Sequence, residues 1–599
     1  MNHSLTVVAL KAIGAGPRGH PARERCVVVL NLAVTEISAK IESMSMEPIP
    51  QVTLEQFEIE YRDRHLIHVV VDRWAARQPD GAAIVNATRG TTLTWRDLER
   101  GSIAIAAELA RLGFRHGDFL AASLPLLNEH ILLELACFRL GVIHAPLDLR
   151  LQPAEVIRCL NLIRPRGYFF LGKTPAADFA ALGEAVRARC DSIEHLVQFS
   201  PANECISGAA SVFDLLERAH PQAVESHVTE RDGAQVIFTT GSTGSPKPAL
   251  LSHRSITCQN LCLGTAFRFG PGQRVLSNLP ASHVGGQAEV LLTSLFTGAT
   301  AVTLEVFDAV KSLDAIERHG ATLLGQIPAM FNLEWRTADY ARRNLASLET
   351  AVYGGQAVPR AFLDRMLQMA PRIATGLGLT ESSGFCTYTR LTSEAAELEH
   401  GIGWSMPAYR LSIREAMDAA GMAGGEMTEG QVGHICFQGP QTFLGYVNDP
   451  EATAATVSRD GWLYTGDLGS LGEHGLHFSG RAKWVLKPAG HQVFPGDIEN
   501  HFAALSDRVA NVGVVGHEHR LWSDGIVAFV ERHPAADLTE AELRKHARSL
   551  AGYMRPLHYV ILEPGTMPLN RSAKVDVARL QEMARTEVAK LRERGRWDG

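Results

Sequence analysis

The sequence is short of the features that mark special classes of protein. Its nine cysteines are an odd number, and none stands in a Cys-x-x-Cys pair. That argues against a disulfide framework and a zinc site, and for free thiols in a reducing compartment. No run of about 18 apolar residues is unbroken. The longest candidate, 284–304, is interrupted by Gln287 and Glu289. A membrane-spanning helix is therefore not expected. An excess of one charge is also missing: 58 Lys and Arg against 65 Asp and Glu leave a formal charge of −7 over 599 residues. That balance leaves no footprint for nucleic acid or an anionic membrane. No internal repeat is visible.

What is present is the makeup of a globular protein: 46% hydrophobic and 21% charged residues. A chain this long builds a core without metal or disulfide support. Residues 1–50 read as a disordered leader, or as sequence upstream of a true start at Met44 or Met46. The short apolar run of 26–34 lacks a small-residue cleavage site to follow it, which disfavours a signal peptide. These features together suggest a cytoplasmic protein.

From residue 65 onward, helical and extended patterns alternate. Helices are predicted over 66–76, 95–112 and 128–140, and strands over 82–85, 92–95 and 119–124. Gln78-Pro79-Asp80-Gly81, Gly113 and Gly141 supply the stops. Alternation at these lengths indicates an α/β architecture with layered, largely parallel sheets. The run 421–433, rich in Gly and Met, reads as a flexible loop. Composition shifts after Gly480, so a large domain over 51–480 and a small C-terminal domain over 481–599 are expected.

A buried strand, Val236 to Thr239, runs into Thr239-Thr240-Gly241-Ser242-Thr243-Gly244-Ser245-Pro246-Lys247. Glycines let backbone N–H groups crowd an anion, hydroxyls add donors, and Lys247 adds positive charge. A plain polar turn would look similar. Pro248 follows the lysine where a Walker A loop has Ser or Thr. The loop resembles the signature of the AMP-forming adenylating superfamily: acyl- and aryl-CoA synthetases, firefly-type luciferases and peptide-synthetase adenylation domains. Further motifs extend the resemblance over roughly 65–580. They are Pro280-Ala281-Ser282-His283-Val284-Gly285-Gly286, Tyr353-Gly354-Gly355-Gln356, Thr375-Gly376-Leu377-Gly378-Leu379-Thr380-Glu381, Asp460 to Gly469, Gly480-Arg481-Ala482-Lys483, 487–499, and Met567 to Lys574.

The resemblance implies roles residue by residue. His283 would face the carboxylate of the acid. Gly354, Gly355 and Gln356 would lie along adenine and acyl group. Gly376, Leu377 and Gly378 would adjoin the nucleotide, Thr380 would donate to phosphate, and Glu381 would hold Mg²⁺, a hard cation suited to carboxylate oxygen. Asp467 would accept from the ribose hydroxyls, joined by Arg481. Lys483 would mark the hinge, at about 481–484. Gly490 would approach the pantetheine of CoA, and Lys574 would bridge carboxylate and α-phosphate. Val284, Gly285, Gly325, Ile327 and Met330 would line a pocket for an apolar acid: aliphatic, aryl or polycyclic.

Four departures from the family pattern stand out: Leu377 where an aromatic is common, Trp484 where an acidic residue is usual, Pro488 close to it, and Ala573 in place of glycine. Loss of an aromatic face beside adenine costs about 0.5–1.5 kcal/mol where it stacks. The implied activity is ATP-dependent formation of an acyl-adenylate, then transfer to CoA. Other readings stay open: delivery to a carrier protein or partner enzyme, a luciferase-like oxygenase, or a degenerate binding protein without catalysis. The implied ligands are ATP, Mg²⁺, CoA and a small carboxylic acid, in a monomer or homodimer.

Overall fold

The computed structural model describes residues 49–174, 177–240, 246–505, 507–570 and 574–598. The proposed leader lies outside them. The first predicted elements form close to their expected limits. Helix Ile67–Arg77 gives way to strands Ala82–Asn86 and Thr91–Thr94 and then to helix Trp95–Arg111. Thr94 caps that last helix: its hydroxyl accepts from the Asp97 amide while the Asp97 carboxylate accepts from the Thr94 amide. This reciprocal box fixes where the helix begins. Helix Asn128–Leu140 stops at Gly141, whose φ of 75° is the left-handed turn glycine tolerates.

Two large sheets carry the main body. The first has seven strands in the order Arg372–Ala374, Thr350–Tyr353, Leu323–Gln326, Arg274–Ser277, Thr300–Thr303, Ala82–Asn86 and Thr91–Thr94. All its pairings are parallel except the last. The second has eight, in the order Gly445–Tyr446, Pro246–Ser252, Gly233–Thr240, Ile143–Pro146, Phe119–Ser123, Gly167–Leu171, His195–Phe199 and Ala210–Ser211. Its strands are parallel from Gly233–Thr240 to the far edge. Both sheets are covered by helices, so central strands read as apolar runs rather than alternating ones. Ile84, Ala301, Ala234, Ile237 and Ala249 meet Trp95, Phe138 and Leu291 in one shared core. A four-stranded antiparallel sheet, Arg410–Arg414, Gly433–Gln438, Leu463–Gly472 and Gly475–Arg481, completes the large domain.

The smaller C-terminal domain packs helices against the sheet Val509–His519, Ser523–Arg532 and His558–Leu562. Ile498, Phe502, Val514, Ile526 and Leu543 form its core on one face, and Phe529, Leu580 and Trp597 on the other. The architecture is thus α/β with a small α+β domain. No helix among the described residues is long and apolar enough to cross a membrane. The eight described cysteines are all free, and seven are buried. The 421–433 run does form a connection, and it is tied down: the Ala423 amide donates to Asp460 and the Gly424 amide to the Tyr464 hydroxyl.

Candidate active site

The glycine-rich segment joins two antiparallel strands, with Thr239 opposite Lys247 and Thr240 opposite Pro246. Wholly buried Val236 and Ile237 anchor the hairpin. Gly241, Ser242, Thr243 and Gly244 lie outside the described residues. At the base, Lys247 Nζ stands 5.0 Å over the ring of Tyr446. The Tyr446 hydroxyl donates to Glu381 Oε1 at 2.6 Å, and the Phe443 amide donates to the Glu381 carbonyl at 2.9 Å. Burial, reinforced by the Glu381 charge, pushes the Tyr446 hydroxyl up, so it stays a donor. Strand Gly445–Tyr446 pairs with Leu250 and Ala249, which brings this tyrosine to the hairpin. Sequence reading missed Tyr446; it stands 65 positions from Glu381, and nothing local marks it.

The 375–381 segment is held through two threonine hydroxyls. Thr375 Oγ1 donates to the Tyr353 carbonyl, and the Leu377 amide donates to Thr387 Oγ1, both at 2.8 Å. A Cβ on Gly376 would fall 1.9 Å from the Thr387 carbonyl oxygen, so only glycine fits there. Leu377 packs toward the cluster of Cys386, Tyr409 and Phe437. Gly378 is exposed, and Thr380 and Glu381 sit in a short 3₁₀ turn, Thr380–Ser382.

Asp467 and Arg481 are register partners on adjacent strands. Arg481 Nε approaches Asp467 Oδ1 to 2.8 Å. The approach is poorly directed for a hydrogen bond, so this oxygen keeps its capacity to accept. Burial raises Asp467 above the ordinary aspartate range; Arg481 and Lys574 pull it back, and Glu381 adds to the rise. Lys574 enters the same cleft. A Cβ on Gly355 would lie 3.5 Å from Lys574 Cε and 3.7 Å from both Nζ and Ile327 Cγ2. Burial lowers the Lys574 ammonium, Arg481 lowers it further, and Asp467 opposes both. Its amide donates to Asn570 Oδ1 at 3.1 Å.

His283 is open to the cleft, yet enclosing protein lowers it to about 4, with the Lys574 charge as the next cause. Its Nδ1 accepts from the Gly285 amide at 3.0 Å, which leaves the ring proton on Nε2. Asp148 and Arg150 also act on this ring and were not anticipated from the sequence. Gly354 stands against Phe385, while Gly355, with φ of 94°, and Gln356 are exposed. Lys483 Nζ lies 4.5 Å over the Trp484 ring. Burial lowers its ammonium, and so do Arg481 and Lys247, so three cations lie within electrostatic reach of one another.

Two expected pocket residues turn inward instead. Val284, 3% exposed, joins the shared core, and Met330 packs with Val275, Leu279 and Val290. Residues 285–292 form a π-helix, whose period differs from the α-helix and cannot be read from sequence spacing. Gly285 is buried beside His283, whereas Gly325 and Ile327 keep partial exposure. Gly490 stands apart: its turn, Pro488–Gly490, bonds to the Trp522 carbonyl through the Ala489 amide, and a Cβ on Gly490 would meet nothing within 4 Å.

The site suits Mg²⁺ brought with a nucleotide. Among the described residues no three His, Cys, Asp or Glu side chains cluster as a cage. Mg²⁺ bound to nucleoside phosphates uses one or two protein carboxylates and keeps its waters. Glu381, with Oε1 oriented by Tyr446, meets that demand.

A hydroxyl-rich hairpin, an acceptor carboxylate and converging cations define a nucleotide-handling enzyme of two domains. Residues 71–447 match the AMP-binding enzyme family, and residues 497–574 match the AMP-binding enzyme C-terminal domain. The chain belongs to this family. Among curated relatives, 28% identity over 534 residues links it to a 3-[(3aS,4S,7aS)-7a-methyl-1,5-dioxo-octahydro-1H-inden-4-yl]propanoyl:CoA ligase of Mycobacterium tuberculosis, covering 87% of this chain and 99% of that protein. A feruloyl-CoA synthase of Amycolatopsis sp is 29% identical, covering 81% of this chain and 93% of that protein. The fold is shared with ATP-bound MatB from Rhodopseudomonas palustris, at TM-score 0.75 and 23% identity, covering 87% of this chain and 99% of that one.

Proposed function

We infer that this chain activates a carboxylic acid with ATP, releasing pyrophosphate and forming an acyl-adenylate, and then transfers the acyl group to CoA. One observation carries the reading most directly: Lys574, from the small domain, reaches Gly355 and acts on His283 and Asp467 in a single cleft. Attack of a carboxylate oxygen on the α-phosphorus brings two anions together. Catalysis therefore needs fixed cations and donors more than a covalent nucleophile. Lys574 bridges carboxylate and α-phosphate. Arg481 and Asp467 hold the ribose, and Lys247 with the hydroxyls of 239–244 takes the outer phosphates. Gly354, Gly355 and Gln356 follow the adenine and acyl group, alongside Gly376, Leu377 and Gly378. Thr380 donates to phosphate. When bound on Glu381, Mg²⁺ supplies charge neutralisation at the phosphate oxygens. Neutral His283 offers its Nε2–H to the acid's carboxylate.

In the second half-reaction the CoA thiol sulfur attacks the adenylate carbonyl carbon and AMP leaves with the bonding pair. The small domain turns about Lys483, at 481–484, which withdraws Lys574 and brings in the 487–499 loop with Gly490. Domains of 51–480 and 481–599 are part of this reading. The open position of Gly490 in the structure is consistent with an arrangement that precedes the turn. Gly285, Gly325 and Ile327 bound the acyl pocket. The acids of the named relatives are polycyclic or aryl-type, and a cytoplasmic setting accords with the free cysteines. ATP–pyrophosphate exchange across a panel of aryl, polycyclic and aliphatic acids tests the first half-reaction. Exchange with none of them overturns the reading, and product analysis with CoA tests the acceptor.

A further inference from the structure

One buried acid in the acyl pocket is not used by the mechanism above. Glu289 sits on the π-helix Gly285–Leu292, between Ala288 at 0% and Val290 at 5% exposure, yet keeps accessible surface of its own. Part of its surface is therefore left unpacked. Three glycines make room for it. A Cβ on Gly384 would come 2.6 Å from Glu289 Cγ, one on Gly378 would lie 3.1 Å from Oε1, and one on Gly285 would lie 3.2 Å from Oε2. His283 Nδ1 lies 3.1 Å from that last point, so Glu289 adjoins the histidine assigned to the reacting carboxylate.

Among the described residues no cationic side chain pairs with Glu289, and the nearby Phe385 amide draws its carboxyl down only in part. Burial pushes its carboxyl up to about 8, so near neutral pH it is an acid that donates O–H and also accepts. A second polar group converges on the same place. Gln259 is wholly buried, its Nε2 has no hydrogen-bond partner, and that nitrogen lies 3.0 Å from the point above Gly384, where Glu289 Oε1 lies at 2.9 Å. A buried donor without a partner costs about 1–3 kcal/mol unless something meets it. An unpartnered amide donor beside a largely neutral carboxyl, at the edge of the proposed pocket, is ligand-seeking.

We propose that Glu289, backed by Gln259, is a specificity residue that hydrogen-bonds a neutral oxygen substituent, hydroxyl or ketone, on the body of the acid being activated. This rests on the adenylation reading and narrows its substrate class from apolar acids to oxygenated ones. A pocket built to bond an oxygen rejects the hydrocarbon analogue, because its own polar groups are then buried without partners.

The test uses the full-length enzyme and ATP–pyrophosphate exchange with matched acids: cinnamic acid, its ring-hydroxylated and ring-aminated analogues, and 3-cyclohexylpropanoic acid against its ring-ketone analogues. At least one oxygenated acid is expected to exceed its hydrocarbon partner by about tenfold or more in kcat/KM. Glu289→Met, nearly isosteric and apolar, is expected to abolish or reverse that ratio while still activating the hydrocarbon acid. Glu289→Gln, which keeps a donor and an acceptor, is expected to retain it. The ratio is read within one preparation, so partial misfolding of a variant does not enter, and wild-type discrimination alone decides the matter if Glu289→Met fails to accumulate. Exchange favouring hydrocarbon or aminated acids, or a ratio unmoved by Glu289→Met, overturns the inference and leaves the adenylation reading standing. Exchange with no acid at all overturns both.

Discussion

The two walls of the cleft are built differently. On the large-domain wall, Asp467 pairs across strands with Arg481 at the domain boundary, Gly376 is pressed against a carbonyl, and Glu381 is gripped by a tyrosine from the hairpin edge. Each group is fixed by backbone pairing around it. On the small-domain wall, Lys574 lies inside a segment bridged at Leu569 and Val575 and held through Asn570, while Gly490 sits on an open turn. The nucleotide grip is rigid. The one ammonium assigned to the reacting atoms is carried on a loop, which the proposed second half-reaction requires to withdraw. A site divided this way can serve two half-reactions in succession, since removing one wall does not disturb the other.

The largest effect should come from the loop side. Lys574→Ala is expected to slow pyrophosphate exchange by about 10²–10³ or more, from the usual size of such electrostatic contributions. Thioester formation from supplied acyl-adenylate should change little. An equal loss in both assays would show that the two walls do not divide the work. On the rigid side, Tyr446→Phe removes the hydroxyl that orients Glu381. A hydrogen bond to a charged group contributes about 1.5–3 kcal/mol, so exchange should fall roughly tenfold or more, with magnesium dependence shifted to higher concentration. Unchanged magnesium dependence would remove Glu381 from its assigned role.

The rigid wall was largely legible in the sequence and the rest less so. Asp467 lies within one strand and Arg481 closes its neighbour; like the 375–381 segment they were marked by the family resemblance, whose motifs are each a few contiguous residues long. Tyr446 was invisible because its partner is Glu381, and only the sheet order brings the two together. Val284 and Met330 were expected in the pocket but pack into cores: Val284 caps the π-helix and joins the shared core, and Met330 sits on the helix Pro328–Trp335 against Val275, Leu279 and Val290, contacts between distant segments that local sequence does not carry. Glu289 appeared in the sequence only as a break in an apolar run. Its chemistry came from the glycines around it, of which Gly378 and Gly384 lie 89 and 95 positions away.

A smaller effect is expected where the walls join. Lys483 stacks its ammonium over Trp484, an exposed-type cation–π contact contributing about 0.5–1 kcal/mol. Trp484→Ala should leave pyrophosphate exchange unchanged and alter the CoA half-reaction by a factor of about two to five, in line with that energy. A change in exchange alone would place the contact outside the turn between half-reactions.

The smallest shift is the most discriminating, because the two walls set opposite limbs of one pH profile. Asp467 must be ionised to accept from ribose, and burial raises it, so kcat/KM for ATP should fall on the acid side at a higher pH than an ordinary aspartate would give. Lys574 must be protonated, and burial lowers it, so the alkaline limb should begin below the range of an ordinary lysine. Lys574→Arg keeps its charge throughout and should erase the alkaline limb while leaving the acid limb in place. Lys574→Ala should erase the same limb and also move the acid limb upward, since Asp467 loses a cation that had been holding it down. An acid limb that stays fixed in Lys574→Ala would mean that loop and strands do not meet electrostatically in the working enzyme. Movement in the alanine variant alone, with none in the arginine variant, would tie the two walls together through charge rather than through packing.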